Sequence, residues 1–136
     1  MSVRAQTLAA VMLLAACAQP EKAPAPGQIP SESRLARETR IRDLEQQARA
    51  LARTDGCGEV GQCRTAPVGA KGCGGPRAYL VYCKATTDEA ALLRALNELK
   101  RVEEEYNRAE GIASDCMMIT PPAIRLDGNA CTAATP

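Results

Sequence analysis

The chain has 136 residues, with seven cysteines, three tyrosines, no phenylalanine, tryptophan or histidine, and 17 basic against 16 acidic side chains. Near-neutral charge and three rings exclude the basic stripe and stacking platform of a nucleic-acid binder. The lack of histidine excludes Ser-His-Asp and Cys-His catalysis and the commonest zinc sites.

The opening MSVRAQTLAAVMLLAAC carries Arg4 in a short n-region, an apolar stretch from Leu8 to Ala16, and small residues before Cys17. This is the shape of a secretory signal. The apolar stretch is less than half the roughly 20 residues a spanning helix needs, so it is expected to be cleaved. Leu14-Ala15-Ala16-Cys17 resembles the lipobox of bacterial lipoproteins. That resemblance implies cleavage after Ala16, acylation of Cys17, and a mature protein anchored to a membrane by several acyl chains. Ala18 stands where Asp commonly holds lipoproteins in the inner membrane. The expected location is therefore the outer membrane, with the domain in the periplasm. Loss of residues 1–16 removes Arg4 and leaves 16 basic and 16 acidic residues.

Residues 17–30 are the lipidated cysteine and its tether. The run AQPEKAPAPGQIP has four prolines and no hydrophobic period; extended at about 3.1 Å per residue it reaches roughly 40 Å. Residues 31–136 are read as one disulfide-rich domain. Ser31 to Arg53 predicts a helix capped by Ser31 or Ser33, with Ile41, Leu44, Ala48 and Leu51 on one face. That stripe lasts about two heptads, short of a coiled coil, so the helix is expected to pack on its own domain.

Cys57 to Pro76 is Gly-rich and reads as an irregular, disulfide-pinned segment. RAYLVYCK, residues 77–84, reads as a strand with Tyr79, Val81 and Cys83 on one face and Leu80 and Tyr82 on the other. Thr86-x-x-Glu89 has the spacing of a capping box. The helix it opens is expected to run to Glu110, with Leu92, Leu96, Leu99, Val102 and Tyr106 inward and Gly111 ending it. Glu103-Glu104-Glu105 is not an acidic catalytic cluster on this reading, because successive helical residues diverge by about 100° and two of the three face water. In the tail, Ile124–Leu126 predicts a short strand, in a hairpin at Asp127-Gly128 or paired at an edge with Tyr79–Tyr82. The fold class is helix-rich α+β, two amphipathic helices with a short strand or hairpin.

Beyond Cys17, the cysteines are Cys57, Cys63, Cys73, Cys83, Cys116 and Cys131. No two have metal-site or Cys-x-x-Cys spacing, and an even number in a short exported chain reads as three structural disulfides. Six cysteines allow fifteen pairings. One is expected: Cys116 with Cys131, across a tail folded back by Pro121-Pro122 and Asp127-Gly128. The other four would then pair within Cys57–Cys83, leaving the second helix free of cross-links.

GAKGCGGPRAYLVYC, residues 69–83, and EEEYNRAEGIASDC, residues 103–116, resemble a family of small bacterial lipoproteins over roughly residues 57–131. The family pattern has a Cys-Gly-Gly-Pro turn before a Tyr-Leu-Val-Tyr strand, and a Tyr-Asn helix end before Ser-Asp-Cys. It implies an exported domain and brings no activity with it. Arg77 stands where the family often has an aromatic residue. Physically, Gly72, Gly74 and Gly75 allow left-handed backbone around Cys73, and Pro76 fixes the strand entry. The stretch lacks the pattern of a phosphate-cradling loop.

No catalytic residue, cofactor, metal or small-molecule ligand is assigned. Asp55, Asp88, Asp115 and Asp127 fall at turns or caps, where Asp serves the backbone. The expected function is a membrane-anchored periplasmic lipoprotein acting as a protein-binding module for an envelope protein. The alternatives are a structural envelope component and, less favoured, a protease-inhibitor-like domain using Arg64, Lys71 or Arg77 beside a disulfide.

Overall fold

The computed structural model describes residues 32–134. The signal segment, Cys17 and the Pro-rich tether lie outside the described residues. Along the chain run α1 (Arg34–Leu51), a 3₁₀ turn (Val60–Gln62), β1 (Cys63–Val68), β2 (Ala78–Cys83), α2 (Glu89–Glu110), β3 (Ile124–Asp127) and β4 (Ala130–Ala133). The strands form two antiparallel hairpin sheets, β1-β2 and β3-β4. With two helices and three disulfides, this is the α+β class expected.

α1 starts where Ser33 Oγ accepts the Ala36 N–H, so Ser33 is the cap. Its face packs as the period requires: Ala48 is buried, and Ile41, Leu44 and Leu51 lie against the core formed with Leu92, Leu96 and Leu99 of α2. Arg37 pairs with Glu110 at 2.8 Å, and the Tyr106 hydroxyl donates to Glu38 at 2.7 Å. The first turns of α1 thus meet the last turns of α2, and the helices run in opposite directions.

After Leu51 the chain leaves the helix because its next backbone groups are taken by the sheets. The Arg53 carbonyl accepts from the Cys83 N–H, the Thr54 carbonyl from the Cys131 N–H, and the Cys57 N–H donates to the Asn129 carbonyl. Asp55 bridges to Ala130. This short connector is stitched to the ends of both hairpins.

The segment expected to be irregular contains β1, in register with β2 from Cys63 opposite Cys83 to Val68 opposite Ala78. Pro67 hides this strand in the sequence. It is accommodated because β1 is an edge, paired on one side only, so the missing amide hydrogen breaks no second ladder. β2 alternates as expected. Leu80 and Tyr82 join Ala66, Val68 and the helices in the main core, while Cys83 and Val81 face a second cluster built on Cys57, Cys63 and Cys131.

The Thr86–Glu89 capping box does not form. Thr86 Oγ1 donates to the Asp55 carbonyl at 2.7 Å, and Thr87 Oγ1 is hydrogen-bonded to the Arg53 backbone. Both threonines are held by the connector, so Asp88 caps the helix through the Ala91 N–H at 2.9 Å. Glu89 instead accepts from the Tyr82 hydroxyl at 2.5 Å. α2 ends at Gly111, left-handed at φ 61°. The tail forms the hairpin and not the edge pairing, with Leu126 opposite Cys131.

The bridges are Cys57–Cys83, Cys63–Cys131 and Cys73–Cys116. The expected Cys116–Cys131 pair is wrong, and only Cys57–Cys83 of the other four pairs within its own segment. Short loops are favoured by chain entropy, but α2 returns the chain to the Gly72–Gly75 turn, placing Cys116 there. The β3-β4 hairpin then carries Cys131 to the start of β1. α2 itself carries no cross-link.

Candidate functional site

Residues 71–75 form a tight turn: the Lys71 N–H donates to the Gly75 carbonyl and the Gly74 N–H to the Lys71 carbonyl. Gly74 and Gly75 adopt φ 93° and 77°, the left-handed backbone expected of them. Gly72 serves differently. A Cβ there would lie 2.1 Å from the Ile112 carbonyl oxygen, so glycine is needed for the close approach of the chain leaving α2.

That chain, residues 112–123, has no regular structure and is held against the turn by specific bonds. The Lys71 ammonium donates to Asp115 Oδ1 at 2.9 Å and to the Met117 carbonyl at 2.7 Å. Asp115 also accepts the Met117 N–H, and the Cys73 N–H donates to Ser114 Oγ. The bond from Lys71, then that from Met117, hold the Asp115 carboxyl below the usual carboxylate range. Cys73–Cys116 completes the attachment. Both cysteines are exposed, and Cys116 has φ 51°, the one positive φ outside glycine among the described residues.

Beside this disulfide lies an open groove of about 360 Å³ whose walls include Pro76, Tyr79, Met117, Met118 and Ile119, with no charged side chain among its lining residues. Met117 and Met118 are 66% and 93% exposed. Sequence reasoning missed this face. Its signal was there: two methionines directly after a cysteine, in a stretch with no helical or strand period to bury them.

The basic residues considered for protease inhibition are each tied to other groups of the domain. Arg64 lies within β1 opposite Tyr82, not on a loop, and donates to the Gly61 and Cys63 carbonyls. The Lys71 side chain is only 14% exposed in its pair with Asp115. Arg77 lies between Glu45 and Glu103, at 2.5 and 2.9 Å. Its guanidinium holds the Glu45 carboxyl low. Two ion pairs thus fix Arg77 at the entry to β2.

Of the three glutamates, Glu104 and Glu105 are exposed as expected, while Glu103 is buried and accepts both the Ala70 N–H and Arg77 Nε. It is a bracket for the β1-β2 connection. The aspartates have local roles: Asp88 caps α2, Asp115 pairs with Lys71, Asp55 with Arg53, and Asp127 ends β3.

The sulfurs of Cys57, Cys83 and Cys131 lie within 4.8 Å of one another. Each is in a disulfide, and a disulfide offers no thiolate for a metal. Two buried bridges stacked on Val81, Ile124 and Leu126 make a covalent second core. Among the described residues no helix is long and apolar enough to cross a membrane. No protein-family model, curated protein or solved structure matches this chain.

Proposed function

We propose that this protein is a lipid-anchored, exported binding module that holds an envelope protein through the face built from Pro76, Tyr79, Met117, Met118 and Ile119. The observation that carries the reading is that face itself: two exposed methionines beside an uncharged groove, fixed by a disulfide and by Lys71. Two large apolar side chains held side by side at a fixed groove offer a ready contact, and methionine adapts to varied apolar partners. A groove without charge suits a partner that inserts apolar side chains from a loop or strand.

The anchor is the other half of the proposal. Support comes from the lipobox, from the small residues before Cys17, and from the resemblance to small lipoproteins over residues 57–131. Ala18 favours the outer membrane, with the domain in the periplasm.

The test is made in cells with a photoreactive residue at Met118 and, as control, at exposed Gln46 on α1. A discrete protein adduct from position 118 that is absent from position 46 supports the reading. Adducts of equal pattern from both positions, or lipid adducts alone from 118, overturn the binding face. For the anchor, Cys17→Ser is expected to move the protein out of the membrane fraction. Retention after a salt wash overturns that half.

A further inference from the structure

Three disulfides hold this domain, and they sit in two different environments. The cysteines of Cys57–Cys83 and Cys63–Cys131 are buried, at 4% exposure or less, and stack in one cluster. Those of Cys73–Cys116 are exposed, on a turn whose Gly74 and Gly75 have open space where a side chain would stand. Thiol–disulfide exchange requires a thiolate to approach a disulfide sulfur, so access separates these bridges. Backbone conformation separates them too. Cys116 is held left-handed, where an L side chain is disfavoured, and no regular structure around it imposes that conformation.

We propose that Cys73–Cys116 is a reversible thiol–disulfide exchange site for an exported dithiol protein, and that its opening releases residues 112–119 while the rest of the fold stays intact. A partner thiolate attacks one sulfur, the Cys73–Cys116 bond breaks, and a mixed disulfide forms as the other cysteine leaves as thiolate and takes a proton. The partner's second thiol then attacks the mixed disulfide. Cys73 and Cys116 end as thiols and the partner as a disulfide, with two electrons and two protons transferred.

The released segment carries Met117 and Met118, and the groove beside it has Cys73 and Cys116 in its wall. Exchange therefore remodels that face. Lys71, Asp115 and Ser114 hold the oxidised form, and their hydrogen bonds allow the clasp to close again in register. The buried bridges and the helical core contain neither cysteine, so they keep the domain folded throughout. The inference stands on the exposed bridge and does not need a partner to occupy the groove.

The experiment treats the folded chain, with Cys17 replaced by serine so that only the six bridged cysteines report, with increasing dithiothreitol, blocks free thiols by alkylation, and maps them by mass. Cys73 and Cys116 should be labelled at about tenfold less dithiol than the other four. In that state, exchange of the Met117 amide, which donates to Asp115, should rise about tenfold or more, with α2 unchanged. Labelling of all six cysteines together overturns the proposal. So does a reduced Cys73–Cys116 pair with unchanged exchange at Met117, because the segment would then be held without the bridge. As an independent arm, Cys73→Ser exposed to glutathione disulfide should gain one glutathione at Cys116 with the two buried bridges intact. Migration of Cys116 into either buried bridge would count against it.

Discussion

The Ala70 amide donates to a Glu103 carboxylate oxygen at 2.6 Å across 33 residues of chain, and a Cβ on neighbouring Gly69 would lie 2.0 Å from that same oxygen. The loop after β1 is shaped around a buried carboxylate of α2. Arg77 balances its charge, and Arg77 in turn reaches Glu45 on α1. One acid therefore ties both helices to the β1-β2 connection.

Glu103→Ala should destabilise the domain by about 3 kcal/mol, since it strands the buried Ala70 N–H and takes one of two carboxylate partners from the half-buried Arg77. Glu103→Gln keeps an acceptor and should cost about 1 kcal/mol. Urea unfolding of the two variants checks the order. Equal losses would show that the charge and not the hydrogen bonds dominates.

Gly72 and Gly74 stand two residues apart and should respond differently. Gly72→Ala drives a methyl into the Ile112 carbonyl, for about 2 kcal/mol. Gly74→Ala meets no atom and costs only the left-handed conformation, about 1 kcal/mol. Thermal melts of both variants measure the difference; a larger loss at Gly74 would contradict the close approach.

Burial, reinforced by the Glu89 carboxylate, pushes the Tyr82 phenol up to about 12 from an ordinary value of 10. The folded state thus keeps this proton where the unfolded chain has lost it. The resulting stability is fully present below pH 10 and is lost as pH rises from 10 to about 12. Tyr82→Phe should remove that part of the alkaline decline. Urea midpoints across this range, wild type against variant, read it directly, and parallel curves would refute it.

Peptide mapping of the unreduced protein should yield Cys57–Cys83, Cys63–Cys131 and Cys73–Cys116. Cys63–Cys131 spans 68 residues, and replacing both with alanine should cost about 4 kcal/mol through chain entropy, with some further loss from the emptied cluster. A Cys116–Cys131 peptide would contradict the fold at its tail.

Both helices and the alternation of β2 were legible in the sequence because each rests on a local pattern, and the tail hairpin was one of two pairings its turn signal left open. Ser33 and Gly111 mark helix ends, Leu80 and Tyr82 alternate with Val81 and Cys83, and Asp127-Gly128 marks a turn. β1 was not legible, because Pro67 breaks the pattern and an edge position forgives it. The capping box failed for the opposite reason. Thr86 and Glu89 have the right spacing, but Asp55 and Tyr82, distant in sequence, compete for them and win. Disulfide partners and the Met117–Met118 face depend on where α2 returns the chain, and no local pattern encodes that.

The cross-links leave one part of the domain outside them. Cys57 is the first bridged residue, so α1 lies ahead of every covalent loop, whereas α2 is enclosed by Cys63–Cys131 and Cys73–Cys116. Tension applied from the N-terminal side therefore meets α1 first, held only by its packing and by pairs such as Arg37–Glu110 and Glu45–Arg77. The helix can be drawn off while the chain beyond Cys57 stays locked, which makes α1 a short extensible leader in front of an inextensible block.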